Sequence, residues 1–345
     1  MPAFDAVLRG SYTSPAIMLS REEEYRLRTT LETLPNAVEI DFRPAPGSEF
    51  SRSLESFLKM SGHLSEGRVR VVETPDGADL PVVPSFRLHR PGRAGIHFAA
   101  LPAGHQLVPF LKALELVAGD SSPKACHELD PNVSATELQV FIAAQCPRCP
   151  AVVETALFAW RRFAPEPFLI MDAAQFPDLT LRYGIKAVPA IVLDRRLVLT
   201  GAIAPDWLTE LITIRGTPRF EAEVTRSMVA TGRIQEAAAG LCREAGREAI
   251  LGLLQESDMS SRMGALVVME RALTEQPDAV RAMTPHLICL LSHPDARIRG
   301  DIADLLGRTG DWGAIARLEL LATDPDPDVA EAAVEAIEAI RSRHA

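Results

Sequence analysis

Apolar and polar residues alternate over short stretches in the first two thirds of the chain. Ala37 to Phe42 reads apolar–polar with a period of two and predicts a strand. Arg68 to Val72 alternates in the same way. Ser85 to His89 and Ile96 to Phe98 predict a hairpin turning at Pro91-Gly92. Between these runs the period lengthens. Leu54, Phe57, Leu58 and Met60 place apolar contacts on one face of a helix over residues 51–61, and a second helix runs from Gln106 to Val117, stopped by Gly119.

After a Ser-, Pro- and Asp-bearing stretch at 121–133, read as a linker, the order repeats. Leu138 to Ile142 predicts a strand, residues 147–163 a helix, Phe168 to Met171 a strand and 175–183 a helix. Ala190 to Leu193 and Leu197 to Leu199 form a hairpin across Asp194-Arg195-Arg196, and 206–214 closes the unit as a helix. This β-α-β-α-β-β-α order predicts an α/β fold: a mixed sheet covered by helices. The expected boundaries are 1–120, 121–215 and 216–345.

Beyond Gly216-Thr217-Pro218 the pattern is helical throughout. Leu253-Leu254, Leu290-Leu291 and Leu320-Leu321 are each followed by an Asp-bearing turn and then an apolar helix, at about 262, 297 and 329. Offsets of 37 and 30 residues fall in the range of helical-pair repeats. Aspartate and proline at the turns suit helix N-termini, where free N–H groups need acceptors and proline lacks the donor that would go unused. This segment holds 14 arginines, no lysine and 21 acids, a balance of −7 out of −10 for the chain.

That acidic balance argues against a general binder of nucleic acid or anionic membrane. No basic stretch followed by an apolar run opens the sequence, and no segment approaches the roughly 18 apolar residues of a membrane span. The expectation is a cytoplasmic protein. Five cysteines in 345 residues do not make a disulfide framework. In a reducing compartment a lone Cys-x-x-Cys means redox chemistry or half a metal site.

Cys146-Pro147-Arg148-Cys149 follows a strand and starts a helix. Free N–H groups and the helix dipole stabilise a thiolate there, and Arg148 adds positive charge; Pro147 suits the first turn. Both effects lower the Cys146 pKa below the free value of about 8.5 and make it the attacking sulfur. Cys149, one turn later, is placed to resolve a mixed disulfide. The alternative is half a zinc site, but zinc needs four ligands; the nearest extra ones are Cys126 and His127, and there is no second Cys-x-x-Cys. Forty residues on, Val188-Pro189 precedes a strand and reads as a cis-proline that sets backbone polar groups beside the cysteines for substrate pairing.

Three stretches together resemble a known family. Cys146-Pro147-Arg148-Cys149-Pro150-Ala151-Val152-Val153 is similar to a thioredoxin-type active-site helix, and Gly184-Ile185-Lys186-Ala187-Val188-Pro189-Ala190 to its cis-proline loop. Ile96 to Gln106, including Gly104-His105-Gln106, is similar to the segment ending the first unit of a tandem form. Residues 1–215 thus resemble the two-unit thioredoxin-like N-terminal domain of the flavoprotein subunit of alkyl hydroperoxide reductase, and the related protein disulfide oxidoreductases. The resemblance implies two fused thioredoxin-like units with Cys146 as nucleophile, Cys149 as resolving cysteine and Pro189 as cis-proline. The first unit has no cysteine and is expected to be inactive, with Val83-Pro84 as a cis-proline remnant.

The family's glutamate after Gly-His, linked to proton transfer, is Gln106 here. The buried aspartate of single-unit thioredoxins, six residues before the first cysteine, is Val140. No Gly-x-Gly-x-x-Gly follows a strand, so no cofactor is expected, and electrons come from a separate thiol or flavoprotein reductant. Protein disulfides are the expected substrates, with a peroxiredoxin-type protein as a candidate partner. The C-terminal segment resembles HEAT repeats, with Arg297, Arg299 and Asp301 near the start of a second helix; such solenoids present surfaces to protein partners. A redox-sensing scaffold with slow turnover is the alternative function.

Among the remaining residues, Cys242 and Cys289 are expected to be buried, inert thiols and Cys126 a linker thiol. His105 reads as structural at a helix start, Trp160 and Phe163 as core, and Asp172 as a solvated turn residue.

Overall fold

A computed structural model describes residues 19–74, 81–119 and 136–344. The chain divides into two compact units, 1–215 and 216–345. The first contains α1 (Arg21–Thr33), β1 (Val38–Arg43), α2 (Glu49–Leu64), β2 (Val69–Glu73), β3 (Ser85–His89) and β4 (Ile96–Ala99). A 3-10 turn at Gly104–Gln106 then leads into α3 (Leu107–Ala118). The order recurs as β5 (Leu138–Ile142), α4 (Cys149–Phe163), β6 (Phe168–Asp172), α5 (Pro177–Arg182), β7 (Ala190–Leu193), β8 (Leu197–Thr200) and α6 (Pro205–Thr213).

Helix α1 lacks a strong apolar period because only Leu27 and Leu31 of it are buried. Its start is encoded instead in Ser20-x-x-Glu23: the Ser20 hydroxyl accepts from Glu23 N at 3.2 Å, and the Glu23 carboxylate accepts from Ser20 N at 2.8 Å. This is a capping box, which satisfies two helix-end donors reciprocally.

The strands form one eight-stranded sheet in the order β2-β1-β3-β4-β6-β5-β7-β8. Each half repeats one pattern: a central strand flanked by a parallel and an antiparallel neighbour, with a hairpin partner outside. The halves join through parallel β4 and β6, with Phe98 level with Ile170. Two thioredoxin-like units therefore share a continuous sheet, which removes one exposed edge from each. On one face the aromatic rings of Phe57, Phe86, Phe98 and Phe110 pack with centroids 5.3–6.2 Å apart. Strands β5 and β6 are buried at every residue, as expected when both faces are covered, whereas β1 alternates buried and half-buried.

His97 lies on the joining strand and is only 1% exposed. Burial, with the nearby Arg87 and His89 charges, pushes its imidazole down to about 3. Arg87 is tied to Glu166 at 3.0 Å and His89 to Asp41 at 2.9 Å. An unfolded histidine titrates near 6.5, so the fold favours the neutral ring. This contribution is complete above about pH 6.5 and is lost as pH falls toward 3. At pH 4 it amounts to about 3 kcal/mol, an order-of-magnitude figure. His97→Gln is expected to flatten the acid limb of stability by that amount. Urea unfolding of both proteins at pH 7 and pH 4 measures it, and equal acid losses would reject the assignment.

The second unit is all helical: α7 (Pro218–Thr231), α8 (Ile234–Gly240), α9 (Glu244–Leu254), α10 (Met259–Glu275), α11 (Pro277–Leu290), α12 (Ala296–Thr309), α13 (Ile315–Leu321) and α14 (Pro327–His344). Asp258 and Asp295 cap α10 and α12 by accepting from Ser261 N and Arg297 N. Ion pairs tie successive repeats together: Arg262 to Asp301 at 2.6 Å, and Arg299 to Asp324 at 2.7 Å. Gly307 permits close packing of α12 on α14, because a Cβ there would lie 2.8 Å from Ala336 Cα. Cys242 and Cys289 are exposed, not buried. Their neighbours are apolar, but each occupies the outward side of its turn, a direction that sequence context alone does not give.

Among the described residues, no helix is long and apolar enough to cross a membrane.

Candidate active site

Strand β5 runs buried to Ile142 and releases the chain into a tight turn. Cys146 N donates to Ala143 O at 3.1 Å, and Cys149 N to Cys146 O at 3.4 Å. Helix α4 begins at Cys149, two residues later than the sequence predicts, and the proline in its first turn is Pro150, not Pro147. Cys146 thus sits in the turn that leads into the helix. Pro147 and Arg148 are exposed, and Arg148 occupies the N-cap position without a side-chain cap bond.

Cys146 and Cys149 are joined in a disulfide, with Cα atoms 5.5 Å apart. Cys149 is fully buried and Cys146 half-buried. An incoming thiolate therefore has access to the Cys146 sulfur, and access is one determinant of which sulfur reacts.

The Val188–Pro189 peptide is cis. Ala190 pairs with Phe141, so Pro189 lies level with the end of β5, where the cysteine turn leaves the sheet. Pro189 is buried and its carbonyl accepts from Gly201 N at 2.9 Å. Val188 is half-buried against a core that includes Phe141, Tyr183 and Ile185. Val82 of the first half packs on the same core, beside a second cis peptide at Val83–Pro84. Both proline loops therefore open at one end of the common sheet. Helix α4 is anchored by Trp160, fully buried, whose indole N–H donates to Gly95 O at 3.2 Å; Phe163 is also buried.

Three positions differ from expectation or add to it. Asp172 is buried in β6, level with Ile142, and accepts from Ala174 N at 2.9 Å; it is not a solvated turn residue. Val140 is fully buried and offers no proton-transfer group. Gln106, which the sequence marks only as a departure from the family's glutamate, is buried and donates from Nε2 to Ala143 O at 3.2 Å. His105 is exposed and lines, with Ala144 and Gln145, a cleft of about 300 Å³ beside the cysteine turn. Cys126 and His127, the extra ligands of the zinc alternative, lie outside the described residues.

Known proteins match each of the two compact units. Residues 284–345 match the family model of HEAT repeats. The alkyl hydroperoxide reductase AhpF of Pseudomonas putida is 32% identical over 183 residues, covering 51% of this chain and 34% of that protein. The Staphylococcus epidermidis protein of the same name is 28% identical over 215 residues, covering 59% and 39%. The chain thus spans between a third and two fifths of the length of these relatives. Among solved structures, the NTD_N/C domain of alkylhydroperoxide reductase AhpF from Enterococcus faecalis aligns with a TM-score of 0.46 and 20% identity, covering 56% of this chain and all of that one. A protein disulfide oxidoreductase from Aeropyrum pernix gives 0.46 and 20%, covering 57% and 93%. The chain joins a tandem thioredoxin-like sheet, similar in sequence to the alkyl hydroperoxide reductase AhpF, to C-terminal HEAT-like repeats.

Proposed function

We propose that this protein is a thiol–disulfide oxidoreductase acting on protein disulfides through Cys146 and Cys149. The observation that carries the reading is the unequal exposure of the two sulfurs, beside the cis Val188–Pro189 peptide at the end of β5. In the reduced protein, the Cys146 thiolate attacks a substrate disulfide. One S–S bond forms, the substrate's bond breaks, and the departing thiolate takes a proton from solvent. Cys149 then loses its proton and attacks the Cys146 sulfur, which releases the second substrate thiol and leaves the intramolecular disulfide. Two electrons have passed to the substrate, and a separate thiol or flavoprotein reductant restores them. A peroxiredoxin-type protein is the electron acceptor we favour, in keeping with the relatives' name. Pro147 and Arg148 tune the nucleophile, and Val188 and Pro189 position the substrate chain.

Cys149→Ser is expected to hold substrates on Cys146 as mixed disulfides, because the resolving step is removed. Capture from extract, followed by release with dithiothreitol and peptide mapping, checks this. If nothing is trapped, and the wild type reduces no protein disulfide with any supplied reductant, the reading is wrong.

A specific observation favours a binding role for the second unit. Met259, Met263 and Val267 stand one turn apart on α10 and are 66%, 42% and 44% exposed. Flexible methionines on an uncovered helix face suit a protein partner. A redox-gated scaffold would show partner affinity that changes between the dithiol and disulfide forms; equal affinity removes the gating.

A further inference from the structure

We infer that Gln106, contributed by the cysteine-free half, is a positioning residue for the cysteine turn of the other half, acting through the carbonyl of Ala143. The inference rests on the thiol–disulfide reading above. Ala143 O accepts two hydrogen bonds: from Cys146 N at 3.1 Å and from Gln106 Nε2 at 3.2 Å. The first closes the turn that presents Cys146. The second fixes the carbonyl on which that turn closes.

The glutamine is itself held. Its own N–H donates to Ala103 O at 3.2 Å, and Gly104, which opens the 3-10 turn, has φ of 58°, in the left-handed region that favours glycine. Gly104 N donates to the Glu23 carboxylate at 2.8 Å. Burial pushes the Glu23 carboxyl up, but hydrogen bonds from Ser20 and Gly104 outweigh it and hold the group below the usual carboxylate range. A continuous set of contacts therefore runs from the start of α1, through the 3-10 turn, to the turn of Cys146.

The side-chain type fits this role. Gln106 lies among Leu101, Pro109, Ile142 and Val153 and is only 4% exposed. In such a site an amide donates to a carbonyl at every pH. A carboxyl group donates only while protonated. An amide also takes no part in proton exchange near neutrality, so Gln106 acts on where Cys146 sits and not on its proton.

The test uses the full chain, with small-molecule probes that need no physiological substrate. Two rates are followed from pH 5 to 9: alkylation of reduced Cys146 by iodoacetamide, read by peptide mass, and reduction of the Cys146–Cys149 disulfide by dithiothreitol. Gln106→Met keeps the volume and removes the donor; both rates are expected to fall about three- to tenfold at every pH, the size of one ordinary hydrogen bond. Gln106→Glu is expected to match the wild type at the acid end. There its carboxyl, raised by burial, still donates. At the alkaline end it falls to the methionine level. A purely structural residue would not give that pH-dependent ratio. Wild-type rates in Gln106→Met overturn the inference, and so does a Gln106→Glu variant that accelerates as it ionises, which would make the position a proton relay. If Gln106→Met fails to fold, the pH dependence of Gln106→Glu decides alone. A chain that gives these rates yet reduces no protein disulfide fails the functional reading and leaves this one standing.

Discussion

Replacing Cys146 with serine is expected to abolish disulfide exchange, with a loss of about a thousandfold or more in the reduction of insulin by the protein and a supplied reductant. A serine hydroxyl is not ionised at neutral pH, and its oxygen cannot form the mixed disulfide through which exchange proceeds. The loss cannot be made good by Cys149, because that sulfur is fully buried under the turn. The two variants should therefore differ in kind. Cys149→Ser completes the first half-reaction and stalls, while Cys146→Ser forms no adduct. Residual turnover in Cys146→Ser would assign the chemistry to another thiol. The exposed Cys242 and Cys289 would then be the first to remove.

The second large effect concerns Trp160. Its side chain is fully buried in α4, and its indole N–H donates to Gly95 O, ahead of β4 in the other half of the sheet. Trp160→Ala removes that contact, leaves a cavity and orphans a carbonyl. The expected cost is about 3–5 kcal/mol. Trp160→Phe restores most of the packing and should recover all but about 1 kcal/mol, the worth of the hydrogen bond. Hydrogen exchange of the β5 and β6 amides, compared among the three proteins, reads the sheet-bearing unit directly. A loss below about 1 kcal/mol in the alanine variant would show that α4 is held without this anchor. Because α4 starts at Cys149, the same variant should also slow disulfide exchange.

Much of the candidate site is legible in the sequence because its parts are local. Cys-x-x-Cys at a strand–helix junction, and proline before a strand some 40 residues later, each lie within a few residues of the element that positions them. The helix start differs by two residues for a local reason: Pro147 and Pro150 both suit a first turn, and only the backbone bonds at Ala143 and Cys146 decide between them. Gln106 is visible as a residue type but not as a contact. It lies 37 residues before Ala143, and nothing near it names the carbonyl that it reaches.

The sequence by itself determined the element types, their order, the paired cysteines and the repeat character of the C-terminal unit. Period-two and period-3.6 patterns, caps and turn residues act within windows of a few to about twenty residues, so they are written in consecutive positions. Only the tertiary structure decided that β4 and β6 fuse two half-sheets into one, that Cys149 is covered while Cys146 is not, and that Asp172 is buried whereas Cys242 and Cys289 are exposed. Each of these depends on what packs against a residue from a distant part of the chain. The same apolar stripe can face a core or solvent, and the choice is made by long-range burial.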